Sequence, residues 1–230
     1  MIQELLNIGI SLIKGFALGG SVFSLGWILD NTISINSQKE MRKTKEYEYL
    51  EGQKYIFENL LIISPIIYTF ADVLFLKHDL YLQFGNYFSL LLIQNIGYFF
   101  AHREMHRNKK LYWIHKFHHN FDQIVTPSTG NAVTKTEFVI AYVCPIMLGG
   151  YLLKPTEVTF LSAIGTISIF NLIIHTQELN KVWWVPGFVS PTNHIDHHSV
   201  RDKHYAAPLV NIDDFILVSD SMWKQYKNKE

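Results

Sequence analysis

The chain has 230 residues, a formal net charge of zero at pH 7, 48% hydrophobic residues and one cysteine, Cys144. That length allows one domain with a sizeable core, the balanced charge gives no footing for nucleic-acid binding, and a lone cysteine excludes an intramolecular disulfide. Sixteen Phe, twelve Tyr and five Trp with only 17% charged residues point to a membrane protein, and eleven histidines need a reason of their own.

In chain order, residues 5–29 are apolar but interrupted by Lys14, Gly15, Gly19 and Gly20. They read as a first span, a tilted interfacial helix or an uncleaved signal-anchor, with the span favoured; no basic stretch precedes them, as a cleaved signal peptide would require. Residues 38–57 interleave Lys39, Arg42, Lys43, Lys45 and Lys54 with Glu40, Glu46, Glu48 and Glu51, a solvated charged segment. Four further stretches, 58–76, 80–101, 137–153 and 157–175, approach the roughly 20 residues that cross a bilayer. The first two are joined by Lys77-His78-Asp79 and the last two by Lys154-Pro155-Thr156, so each pair reads as a helical hairpin with its turn on the same side. The opposite side receives 38–57, Arg103, Arg107, Lys109, Lys110, Lys116, Lys135 and the tail, and the Lys/Arg bias makes that side cytoplasmic. Trp183-Trp184 before Pro186-Gly187 reads as an aromatic anchor at the interface.

Three histidine clusters fall on the cytoplasmic side: His102-x-x-x-His106, His115-x-x-His118-His119 and His194-x-x-His197-His198. On a helix, positions i, i+3 and i+4 share a face, so each cluster is expected to aim its imidazoles at one point. Eight imidazoles exceed the four ligands of a structural zinc ion and suit two metals with positions left open. Imidazole accepts iron, zinc, copper or nickel alike, so the ligand type does not name the metal. His175, at the cytoplasmic end of the last span, is a favoured ninth ligand. Glu104, Asp196 and Asn193 are candidates to orient the rings. His204 reads as a supporting donor or an exposed residue, and His78 lies on the opposite turn, away from the site.

From Tyr98 to Asp213, these motifs between these hairpins resemble the fatty acid hydroxylase/sterol desaturase superfamily of membrane histidine-box di-iron oxygenases. The resemblance is carried by Ala101-His102-Arg103, by Leu111-Tyr112-Trp113-Ile114-His115-Lys116-Phe117-His118-His119, by the third box, and by His204-Tyr205-Ala206 and Ile212-Asp213 after it. It departs from the family pattern at Thr134-Lys135-Thr136-Glu137, which keeps only the acid of a His-Pro-x-Glu segment, and in the tail. The resemblance implies metal ligation by His102, His106, His115, His118, His119, His194, His197 and His198, with His175 matching a further family histidine. It also implies two iron ions, O2 as co-substrate, and hydroxylation or desaturation of a lipid such as a sterol or fatty acyl chain. Electrons would come from a separate carrier of the cytochrome b5 or ferredoxin type with its reductase.

The expected architecture is an all-α integral membrane protein. One domain spans 1–230: an N-terminal helix and charged segment (1–57), two hairpins holding the first two boxes between them (58–175), and a cytoplasmic helical cap with the third box (176–230). The expected location is a bacterial inner membrane or the endoplasmic reticulum, with the boxes facing the cytoplasm. Two other readings use the same histidines: a membrane metallohydrolase activating water on zinc, and a metal- or lipid-binding membrane protein without turnover.

Overall fold

The computed structural model describes residues 2–216 apart from Gln123; the end of the expected cap, 217–230, lies outside the described residues. The described chain is helical throughout, with two isolated β-bridges and no named strand. Four helices are long and apolar enough to cross a membrane: α1 (Ile2–Thr32), α3 (Glu46–Leu74), α6 (Lys135–Leu153) and α7 (Glu157–Ile174). Between them lie α2 (Ile35–Thr44), α4 (Phe84–Arg107) and the single turn α5 (Tyr112–His115), and α8 (Pro191–Ser199) follows. The chain is an all-α integral membrane protein.

The two expected hairpins form, and their turns meet: Lys77 N–H donates to Pro155 O at 3.0 Å and Glu157 N–H to Lys77 O at 2.7 Å. At that end α1 begins, with Ser11 bonded to Asp72 and Lys14 paired with Glu157 at 2.7 Å. Its other end reaches the histidine side, where Asp30 accepts from Ser128 N–H at 2.9 Å. α1 therefore runs the full depth of the bundle, as a spanning helix does and a tilted interfacial helix does not.

The glycines that interrupt its hydropathy form its contact seam. The buried positions of α1 include Ser11, Gly15 and Gly19, one turn apart, the small-residue spacing that lets membrane helices approach closely. A Cβ on Gly19 would lie 1.9 Å from Leu60 O and one on Gly15 2.7 Å from Pro65 Cα, so α1 and α3 touch backbone to backbone.

α4 falls outside the four apolar helices for a different reason. It packs between α6 and α7 and buries Gln94, Asn95, Tyr98 and His102 on that inner face. Its outer face exposes Phe84, Phe88, Leu92, Ile96 and Phe100, one residue per turn. The inner polar residues lower its mean hydropathy, while every side chain of the outward stripe is apolar.

Two membrane helices contain a wide turn: Glu58–Ile63 in α3 and Phe138–Val143 in α6 adopt π geometry just before Pro65 and Pro145. Proline lacks the N–H that would continue the ladder, and π turns absorb such breaks. Gln94 supplies a substitute donor, its Nε2 lying 3.3 Å from Ala141 O, four residues before Pro145.

Candidate metal centre

The three boxes occupy the end of α4, the segment from α5 into the 3-10 turn His118–Phe121, and α8. With His175, just past α7, their nine imidazoles converge in two adjacent groups: His102, His106, His115, His119 and His197 in one, His118, His175, His194 and His198 in the other. Within each group the ligand atoms all lie within 4.8 Å of one another, and only His106 is less than fully buried.

The grouping corrects the expectation that each box aims at one point. His102 with His106, His115 with His119, and His194 with His198 stay together, because i and i+4 share a helical face. His118 and His197, one residue before the last histidine of their boxes, turn to the other group. Neighbouring residues on a helix differ by about 100°, so each His-His pair serves both groups and ties them together; the rings of His119 and His198 lie 5.1 Å apart.

Hydrogen bonds on the outside of the rings fix which nitrogen faces inward. Nδ1 lies 2.8 Å from Tyr205 O in His102, 2.7 Å from Asn171 O in His175, 2.6 Å from Lys203 O in His197 and 3.3 Å from His198 O in His119. A carbonyl only accepts, so Nδ1 carries the proton and donates, and Nε2 presents a lone pair. In His115 the partner is the Glu137 carboxylate, at 2.5 Å from Nδ1, the carboxylate–histidine arrangement that supports metal-binding imidazoles.

The inward Nε2 atoms then crowd. Separations are 2.9 Å for His102–His115, 3.1 Å for His102–His197, 3.1 Å for His106–His119, and 2.8 Å for His175–His194. In His102–His115 and His102–His197 both Nδ1 protons are committed elsewhere, so those nitrogens cannot bond each other and the contacts oppose lone pair to lone pair. A cation between them removes the conflict, and neutral imidazole is the form that ligates it. Burial, followed by the neighbouring imidazoles, pushes the basicity of His115, His118, His194 and His198 well below that of free histidine. Burial takes His175 down to about 4 and His119 to about 3. His118 Nδ1, His194 Nδ1 and both nitrogens of His198 have no protein partner. The donor set fits two metal ions.

Other sequence candidates fall elsewhere. Glu104 and Asp196 are exposed, and Asn193 uses its N–H to cap α8 through Ser190 Oγ. The supporting acid is Glu137, fully buried at the start of α6, whose only signal in the sequence was the retained acid of a diverged motif. His204 joins neither group; its φ of 59° turns the chain between Lys203 and Tyr205, the two carbonyls that accept from His197 and His102. His78 sits at the opposite end of the bundle, 3.8 Å from Asp72 and 3.6 Å from Glu157. Trp183 is exposed, between exposed Val182 and half-buried Trp184, in the loop beyond His175.

Gly130 has no sequence signal. It belongs to the 3-10 turn Pro127–Asn131, which Asp30 holds through Ser128 and Thr126. A Cβ there would lie 2.7 Å from His175 Nδ1 and 2.9 Å from Asn171 Nδ2.

Below the four-histidine group the bundle encloses a mainly apolar cavity, with about 800 Å³ of empty space counting its mouth. Asn131 and Asn171 line its upper end, and Tyr68 and Phe160 its lower. The family model described as fatty acid hydroxylase matches residues 87–218, more than half of the 230-residue chain. No curated protein and no solved structure matches the chain.

Proposed function

The chain belongs to the fatty acid hydroxylase family, and from that premise we propose that it is a di-iron, O2-dependent enzyme that hydroxylates or desaturates a membrane lipid of the sterol or fatty acyl type. Membership supports an oxidoreductase acting on lipids; the metal, the oxidant and the electron source are our reading.

The observation that carries it is the pair of convergent imidazole groups, in which His102, His115, His119, His175 and His197 commit Nδ1 as a donor and turn Nε2 inward as a lone pair. Two irons held there would supply the oxidising power that an unactivated C–H bond demands, which protein side chains alone lack. Hydroxylation consumes the substrate C–H, one O2, two electrons and two protons, and yields the alcohol and one water; desaturation removes two hydrogens and yields two waters from the same inputs. This chain's residues commit Nδ1 of five rings to carbonyls and to Glu137, and keep the ligands neutral and the site dry by burying eight of the nine rings. The five-histidine group approaches the surface at His106, where a separate carrier of the cytochrome b5 or ferredoxin type can approach. The four-histidine group faces the cavity through Asn171, whose carbonyl accepts from His175. The excess of Lys and Arg at the histidine end supports a cytoplasmic orientation.

A zinc hydrolase would need a base aimed at the metal's open side. The buried carboxylate beside the rings, Glu137, lies outside them on His115 Nδ1, which favours the oxygenase. The test is lipid mass spectrometry of cells with and without the chain, under oxygen and with a His118→Ala control. A product heavier by one oxygen or lighter by two hydrogens, absent with His118→Ala, is expected. No oxygen-dependent product from any lipid or sterol, in the presence of iron-loaded protein, refutes the proposal.

A further inference from the structure

We propose that the cavity below the four-histidine group is a sleeve for one straight hydrocarbon chain, methyl end down, whose floor at Phe160 and Tyr68 counts off the carbon that reaches the metals. This deepens the lipid-oxidising reading and rests on it.

On α7 the cavity is lined by Phe160, Ile164, Ile167, Ser168 and Asn171, one face of a single helix. Eleven residues at about 1.5 Å each give a depth of about 16 Å. The upper end is fixed beside the metal site by Asn171, which holds His175, and by Asn131. The lower end is shut by the Phe160 ring, edge-on to Phe75 with centroids 5.7 Å apart, and by Tyr68, whose hydroxyl is tied to Glu157. Between these ends the opposing walls are mainly apolar: Leu18 and Val22 from α1, Leu60 and Ile67 from α3, and Phe138, Tyr142, Val143 and Ile146 from α6. Ser64 Oγ donates to Asn59 O in its own helix and Gln94 Nε2 to Ala141 O, while Gln94 Oε1 has no protein partner.

The occupant follows from shape and surroundings. Leu18, Val22 and Ile164 are only half-buried, and α1 makes few contacts with α7, so the sleeve opens sideways between these two membrane helices. A lipid tail can enter there from the bilayer without crossing water. A cavity that is narrow along its length and lined by apolar side chains suits a flexible single chain better than a fused-ring body. At about 1.3 Å per carbon, a helix-measured depth of about 16 Å takes about 12 carbons between the floor and the metal end. The carbon oxidised is therefore set from the methyl terminus, and a longer chain leaves its extra carbons on the headgroup side.

The test uses the whole metal-loaded protein in lipid nanodiscs and two photoreactive fatty acids, one with a diazirine at the methyl terminus and one with it about 12 carbons higher. The terminal probe is expected to label peptides containing Tyr68 or Phe160, and the higher probe those containing Asn131 or Asn171. Ile164→Trp, which plugs the sleeve halfway, should remove the labelling at Tyr68 and Phe160 at unchanged metal content. Ile164→Phe is the milder substitute if the first variant loses its metals. Labelling confined to lipid-facing residues such as Phe88 and Leu92, or unaltered by the plug, overturns the sleeve. The expected labelling without any oxygen-dependent lipid product in cells overturns the chemistry and leaves the sleeve standing; a product whose oxidised position ignores the plug overturns the sleeve and leaves the chemistry.

Discussion

Replacing Gly130 by alanine should remove one of the two metals and spare the other. The added Cβ would sit 2.7 Å from His175 Nδ1 and 3.1 Å from Cε1 of the same ring, where ordinary contact starts at 3.4 Å. Relief on the His175 side takes a displacement of about 0.7 Å, on the backbone turn or on the ring. The turn is clamped by Asp30 through Ser128 N–H at 2.9 Å, and the ring is held by Asn171 O at 2.7 Å, so the strain falls on a ring whose Nε2 must reach a metal at about 2.0–2.1 Å, the zinc–imidazole distance. Overpacking of this kind costs about 1–3 kcal/mol, or roughly a 5- to 150-fold loss of affinity if it falls wholly on the bound state. His175 belongs to the four-histidine group alone. Metal analysis of purified protein after dialysis against a weak chelator should therefore give about one ion per chain for Gly130→Ala against two for the unaltered chain, with lipid oxidation lost. Two tightly held ions in the variant would refute the clamped-turn argument; no ions at all would refute the independence of the two groups.

Glu137→Gln keeps the shape but removes the charge against His115 Nδ1. Loss of such outer support typically weakens metal binding about 10- to 100-fold, here from the five-histidine group, and a chelator titration with wild-type affinity would sink that role. Gly19→Ala places a methyl 1.9 Å from Leu60 O and should lower the unfolding midpoint in detergent by forcing α1 off α3, at about 1–3 kcal/mol. Gly9→Ala, with nothing within 4 Å, is the matched control and should be neutral or slightly stabilising; equal effects would argue against the seam. For pH, burial holds His175 at about 4 and His119 at about 3, below the ordinary value near 6.5 that an unfolded chain would show. Below about pH 6.5 the unfolded chain therefore binds more protons than the folded one, so stability is full above that value and falls with acidification. Proton competition for the ligands acts in the same direction. Thermal unfolding of metal-free protein from pH 8 to 5 should show midpoints falling with pH, and a midpoint that rises on acidification would contradict neutral packed rings.

The fold was legible wherever one property decided it. Two apolar pairs with three-residue charged turns form the two hairpins, because nothing in a bilayer competes with helix for backbone hydrogen bonds. Average hydropathy misled where a helix has two different faces. Gly15 and Gly19 look like interruptions of α1, yet they allow its contact with Leu60 and Pro65. Gln94 and Asn95 dilute α4, yet they serve backbone groups: Gln94 the Ala141 carbonyl, Asn95 the N–H groups of Leu209 and Val210 at 3.1 and 3.2 Å. Which face meets protein is a tertiary fact, and no window average contains it.

The histidines show the same boundary at finer scale. Their spacing brings i and i+4 together, and the three i, i+4 pairs do share a group. It does not say where the i+3 member goes, and taking i+3 with i+4 as one cluster hides that His118 and His197 each cross over. The crossing follows from two arcs meeting: α5 with its 3-10 turn on one side, α8 on the other, each offering two rings to one group and one to its neighbour. A box with a single histidine at its end could fill only one group. The doubled His-His ending is what lets each segment hold both, so that deleting one ring of either pair strips a ligand from one group while its neighbour in sequence still ligates the other. His118→Ala should therefore disturb the four-histidine group first and His119→Ala the five-histidine group first, although the two residues are adjacent in the chain.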